Sequence, residues 1–182
     1  LYHQEVKWIA VLLILGPWPV LVYSQENNSL SGWSLGAAVG PYLPSNIPGV
    51  TDVMKAWQGR ISWFDGDFGW ELWGFRSVED GAIINYMGGS LTRLMPIPDA
   101  DGVGVLVSVG IDTSYCRPAS RRGTPPPFIR GNGVHFAGGI RLPIGQNLAA
   151  RTGFSILNGP GRAVMVEVGL EWRLGGAATA GN

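Results

Sequence analysis

His135 is the one histidine beyond the first 24 residues, so acid–base chemistry on an imidazole has a single place to happen. A hydrolytic set needs a hydroxyl, an imidazole and a carboxylate within hydrogen-bond reach. Asp112 with Ser108 or Ser114 supplies the other members, provided their segment lies beside that of His135. Cys116 is the only cysteine, which leaves no internal disulfide and no thiolate metal set. No metal-ligand spacing and no cofactor-binding motif is present. The remaining charges are scattered singly among small and apolar residues: Arg60, Glu71, Arg93, Arg141, Arg151, Glu167, Glu171 and Arg173. Four further arginines, Arg117, Arg121, Arg122 and Arg130, crowd the stretch CRPASRRGTPPPFIRG. Guanidinium groups match phosphate geometry, so this stretch can meet lipopolysaccharide. It reads equally as a stiff, solvated proline-rich loop.

The elements that carry these groups alternate in polarity. Residues 162–174 set Val164, Val166, Val168, Leu170, Trp172 and Leu174 on one face and Met165, Glu167, Gly169, Glu171 and Arg173 on the other. Residues 102–115 and 132–143 repeat the pattern, and the second puts His135, Ala137, Gly139 and Arg141 on its polar face. A period of two over short segments bounded by turn residues is the mark of β-strands. Eight such segments are predicted, at 32–40, 55–64, 67–77, 83–95, 102–115, 132–143, 147–157 and 162–174. The longest connections, 41–54 and 116–131, are the first and the fifth, so they emerge on the same side of an antiparallel array. In the first, Thr51 is placed to cap a short helical turn through Met54 and Trp57.

Composition decides what surrounds the sheet. Charged residues make up 14% of the 182, and Lys7 and Lys55 are the only lysines. Soluble domains coat themselves in both signs of charge, with lysine prominent. The formal net charge of zero gives no reason to expect nucleic acid. Lys7 precedes an apolar run, Trp8 to Val22, broken by Pro17 and Pro19, which has the layout of a secretory signal over 1–24. The expected organisation is therefore a signal peptide over 1–24, a barrel domain over 25–174 and a short tail over 175–182.

With small and charged residues on one face and Val, Leu and Ile on the other, the apolar face suits lipid. In hydrocarbon every backbone polar group must be paired, so the sheet has to close. The expected fold is all-β: a closed eight-stranded antiparallel transmembrane β-barrel. Trp33, Trp57, Trp63, Phe68, Trp70 and Trp172 fall near strand ends, where interfacial girdles belong.

On these features, and on the last strand VMVEVGLEWRL, residues 32–174 resemble the bacterial outer-membrane β-barrel proteins with eight strands. The resemblance implies a place in the bacterial outer membrane, contact with its lipid and delivery by the barrel-assembly machinery. Trp172 and Leu174 would fill the aromatic and terminal apolar slots of the assembly signal, although that last slot is usually Phe and GGAATAGN follows here. Some barrels of this family act on lipids. The lipid A deacylases among them carry a serine two residues after the histidine, where this chain has Ala137.

Turning the apolar face outward sends Arg60, Glu71, Arg93, Asp112, His135, Arg141, Arg151, Glu167, Glu171 and Arg173 into the lumen. Five cations against four anions should pair and plug it, whereas an ion-selective pore favours one sign along its wall. A type I′ turn at Asp65-Gly66 would set Arg60 opposite Glu71. A three-residue loop at 158–160 would set Arg151 opposite Glu167. The function expected is that of an envelope structural, adhesion or accessory protein working through its outer loops, with other envelope proteins as partners. A narrow channel for small solutes and a lipid-modifying enzyme using His135 are the alternatives.

Overall fold

The computed structural model describes residues 31–45, 47, 50, 53–79, 81–119, 127–159 and 161–174. The segments expected to be a signal peptide and a tail, and the residues Thr51, Arg121 and Arg122, lie outside these. Eight strands follow one another: β1 (Ser31–Ser45), β2 (Met54–Asp65), β3 (Phe68–Glu79), β4 (Ala82–Pro96), β5 (Gly104–Arg117), β6 (Ile129–Pro143), β7 (Leu148–Asn158) and β8 (Arg162–Leu174). Each pairs antiparallel with its sequence neighbours, and β1 pairs with β8 to close the barrel. Closure removes the free strand edges that an open sheet would present to lipid.

The registers fix the dimensions. A path across the strands from Leu174 runs through Trp33, Trp63, Trp70, Leu91, Val109, Phe136 and Ile156 and re-enters β8 at Val164, ten residues from its start. With a rise of about 3.3 Å per residue and about 4.8 Å between strands, a shear of ten in eight strands gives a tilt of about 41° and a radius of about 8 Å. A cylinder this narrow is filled by its own side chains.

Two of the expected registers differ by one inward-facing step. Gly66 (φ 63°) and Asp67 form the β2–β3 turn, so Asp65 faces Phe68 and Glu71 faces Ser62 instead of Arg60. Positive φ at the first turn residue alone is the type II′ pattern, not I′. The last loop is three residues long as expected but spans 159–161, which sets Arg151 opposite Gly169 and Glu167 opposite Gly153. A shift of two residues keeps every side chain on its face, so alternation alone cannot detect it.

The first strand runs on through Pro41 and Pro44 to Ser45, beyond the end expected from its prolines. The β1–β8 ladder has a gap at Gly40 and Pro41, and a proline, having no N–H, is tolerated where no ladder bond is made. Gly40 also sits where a Cβ would lie 1.8 Å from the Val166 carbonyl oxygen, so only glycine allows the two strands to approach there. Met54 and Trp57 belong to β2 and not to a helical turn.

The outer wall carries Leu72, Leu91, Ile111, Val168 and Leu170, all exposed. Trp33, Trp63 and Trp70 stand side by side across three strands at the end bearing the β2–β3 turn, and Trp33 meets Trp70 edge-on at 5.2 Å. Phe68 and Trp172 lie at the same end, and Trp57, 69% exposed, stands toward the other. An apolar belt with aromatics at its border is the surface of a membrane-spanning barrel.

Candidate functional site

The middle of the lumen holds three ion pairs built by strands that are not neighbours. Arg60 on β2 reaches Glu167 on β8 at 2.6 Å. Arg151 on β7 grips Glu71 on β3 through both of its terminal nitrogens. Arg141 on β6 donates through Nε to Glu171 on β8 at 3.0 Å. Arg151 is the hub, because its Nε also lies 3.7 Å from Glu167 and one Nη lies 4.0 Å from Glu171. Gln58 accepts from Arg60, and Ser62 donates to Glu71. These side chains are buried, so each charge is held by its partners and not by bulk water. The space left among Gln58, Trp73, Ser90 and Arg151 is about 10 Å³, roughly room for one water molecule.

His135 stands above this layer, 1% exposed, with Trp73 edge-on to its ring at 4.6 Å. Asp112 Oδ2 is 4.0 Å from its Nδ1. Neither ring nitrogen makes a hydrogen bond to the described residues. Ser108 bonds with Thr92, and Ser114 donates to the Gly131 carbonyl, so neither serine is joined to the imidazole. The three residue types share a neighbourhood, but no hydroxyl is activated and the ring is shut away from lipid. Lipid hydrolysis at His135 therefore has no geometric support.

Toward the end bearing the longest loops the lumen turns apolar. Tyr42, Met54, Phe75, Ile84, Tyr86 and Met165 form one buried cluster, which Ile47 and Val50 of the first loop complete. The rings of Phe75 and Tyr86 stack with centroids 4.9 Å apart. A smaller cluster, Phe64, Leu94 and Leu106, lies toward the opposite end. The lumen is thus a stack of apolar plug, ionic layer and short apolar floor. The sequence expectation of a polar interior missed the plug, although Phe75 shares the inward parity of Glu71 on β3, and Met165 that of Glu167 and Glu171 on β8.

The remaining inward-predicted residues divide. Arg173 keeps the inward parity, half-buried at the mouth near the short turns. Arg93 does not: β4 sends Thr92 and Leu94 inward, and Arg93 faces out with its guanidinium 5.3 Å from the Phe68 ring centroid. Both faces of β4 mix apolar and polar residues, so its alternation gives no direction there. A long cation at a strand end can reach the interface along an aromatic neighbour.

The exposed positions at the loop end include several basic residues, with the acid Glu79 among them accepting the Lys55 backbone N–H. Lys55, Arg76 and Arg130 are exposed there, and Arg117 is half-buried. Arg117 packs over Phe128 and Arg130 over Tyr115, at 5.3 and 5.0 Å from the ring centroids. The opposite end carries Asp65, Asp67, Asp99 and Asp101 in and beside its turns. Trp172 and Leu174 point outward at that end, and Leu174 pairs with Trp33 at the closing seam.

A closed, lipid-faced barrel with a filled interior has the fold of the small eight-stranded barrels of bacterial outer membranes. Among solved structures it is similar to Neisserial surface protein A, at 11% identity and a TM-score of 0.66, over 79% of this chain and 98% of that one. It is also similar to the N-terminal β-barrel domain of Pseudomonas aeruginosa OprF, at 13% identity and a TM-score of 0.62, over 79% and 98%. Ail, the attachment invasion locus protein of Yersinia pestis, follows at 12% identity and a TM-score of 0.56, over 81% and 100%. These neighbours are bacterial outer-membrane proteins, and at such identities the likeness is one of fold. No protein-family model and no curated sequence matches the chain.

Proposed function

We propose that this protein is an outer-membrane barrel that serves the cell envelope from its outer rim, as an adhesion, structural or accessory component, and does not pass solutes. The observation that carries the reading is the filled lumen: the apolar cluster from Tyr42 to Met165 stands in series with three compensated ion pairs. Continuous conduction would need a water path, and an ion-selective one an excess of one sign along it. What remains available for interaction is the rim with its basic residues and loops. Ail has been crystallised with the heparin analogue sucrose octasulfate, a polyanion. The loop end here, with Lys55, Arg76, Arg117 and Arg130 and the loop arginines Arg121 and Arg122, would suit the phosphates of lipopolysaccharide.

Two measurements test this. The full chain, folded into a planar bilayer, should give no single-channel steps above the lipid-only trace; discrete steps would transfer the proposal to a narrow channel. Replacing Arg117, Arg121, Arg122 and Arg130 together by Gln should weaken lipopolysaccharide binding at least fivefold at low salt. Unchanged binding would remove the rim from the proposal.

A further inference from the structure

Arg173 stands apart from the three ion pairs of the lumen. Glu71, Glu167 and Glu171 each have one close arginine, in Arg151, Arg60 and Arg141. Arg173, next along β8 toward the mouth, forms no salt bridge with any described carboxylate. It shares with Arg141 a cleft of about 210 Å³ that opens at the mouth bearing the short turns. Leu94, Val103 and Pro143 supply apolar wall and Gln146 a polar edge.

The walls are built, not draped. Ile97 donates its N–H to the Val103 carbonyl, and Val103 donates to Ala100, which ties the 97–103 turn into a knot. Asp99 holds φ 62° to make that turn. Ile144 and Gly145 both donate to the Leu148 carbonyl, and the Arg173 N–H donates to Asn147, which fastens the 144–147 turn to β8.

We propose that this cleft is a binding site for a small monoanion with a short apolar stem, its carboxylate held between Arg173 and Arg141. Arg173 has Glu171 within electrostatic range but no carboxylate in contact, so the mouth has room for one further negative charge, which favours a carboxylate over a phosphate dianion. Two guanidinium groups at one mouth repel unless an anion lies between them, and arginine binds carboxylates in paired N–H contacts. The volume is enough for a branched five- or six-carbon acid. The apolar wall accounts for the stem. This site is separate from the outer rim and stands or falls independently of the role proposed for it.

The test is a solution NMR titration of the full chain, folded in neutral-detergent micelles, with 4-methylpentanoate. Its uncharged amide and methyl phosphate serve as parallel probes. Saturable amide shifts at Val103 and Gln146 are expected with the carboxylate, and binding at least tenfold weaker with either other probe. Arg173→Gln should weaken carboxylate binding at least tenfold, and Arg93→Gln, at the same end but outside the barrel, should leave it unchanged. Equal response to the amide, shifts spread over the lipid-facing wall, or tighter binding of methyl phosphate would each overturn the proposal. The comparison of probes on the unmodified chain decides the matter even if Arg173→Gln fails to fold.

Discussion

Arg151 shows what a single residue can hold. It is the one guanidinium within 4.0 Å of all three lumen glutamates, so its loss leaves Glu71 buried without its ion-pair partner. Removing one partner of such a pair typically costs about 3–5 kcal/mol, whereas replacing both by apolar groups of similar volume is often neutral. Arg151→Met should therefore lower stability by about 3–5 kcal/mol, and Arg151→Met with Glu71→Met should recover most of that loss. Urea unfolding of the two variants in lipid vesicles, followed by tryptophan emission, measures both. Arg93→Gln is the contrast: an interfacial cation over an aromatic ring is worth about 1 kcal/mol, so its unfolding midpoint should barely move. The two arginines look alike in the sequence. What separates them is the flank: Arg151 sits in a strand whose other face is plainly apolar, while β4 has apolar residues on both faces.

At the scale of the element, period-two alternation gave all eight strands and the inward faces of β2, β3 and β5 to β8, because lipid and lumen impose opposite demands on successive residues; on β4 it pointed the wrong way. Registers were less legible. Asp65-Gly66-Asp67 offers two turns that both preserve parity, and the choice between them moves the partner of Glu71 from Arg60 to Ser62. The ends of β1 were hidden as well, since Pro41 and Pro44 read as loop; the gap at the closing seam accommodates Pro41, and Pro44 lies beyond the last partner on β2. That seam yields its own prediction. Gly40→Val would drive a side chain into the Val166 carbonyl, so β1 and β8 should part and the compact band on unboiled gels should be lost. Gly59→Val should keep that band, since nothing lies within 4 Å of the Cβ position there.

For the whole molecule, the legible part was the division of the chain into inside and outside; the illegible part was how the inside is layered. The ionic pairs join strands far apart in sequence, and no local pattern announces which arginine meets which glutamate. The outer division can be read with light. Trp33, Trp57 and Trp172 are exposed on the wall while Trp73 is buried in the lumen. Brominated lipids should therefore quench most of the emission of the folded chain and leave a residual component. Trp73→Phe should abolish that component; a residue of unchanged size would show that another tryptophan is shielded.

The cross-lumen pairs have a further consequence, for assembly. Glu71 and Arg151 lie on β3 and β7, four strands apart whichever way round the barrel is counted, and Arg60 and Arg141 both wait for partners on β8. No hairpin can satisfy its own charges as it enters the membrane, so partial assemblies gain little and the last strand settles the fate of all the others. Insertion should then be a concerted event with high contact order, slow to start and all-or-none once begun. A chain split in the loop between β6 and β7 should regain native mobility only when both halves are refolded together.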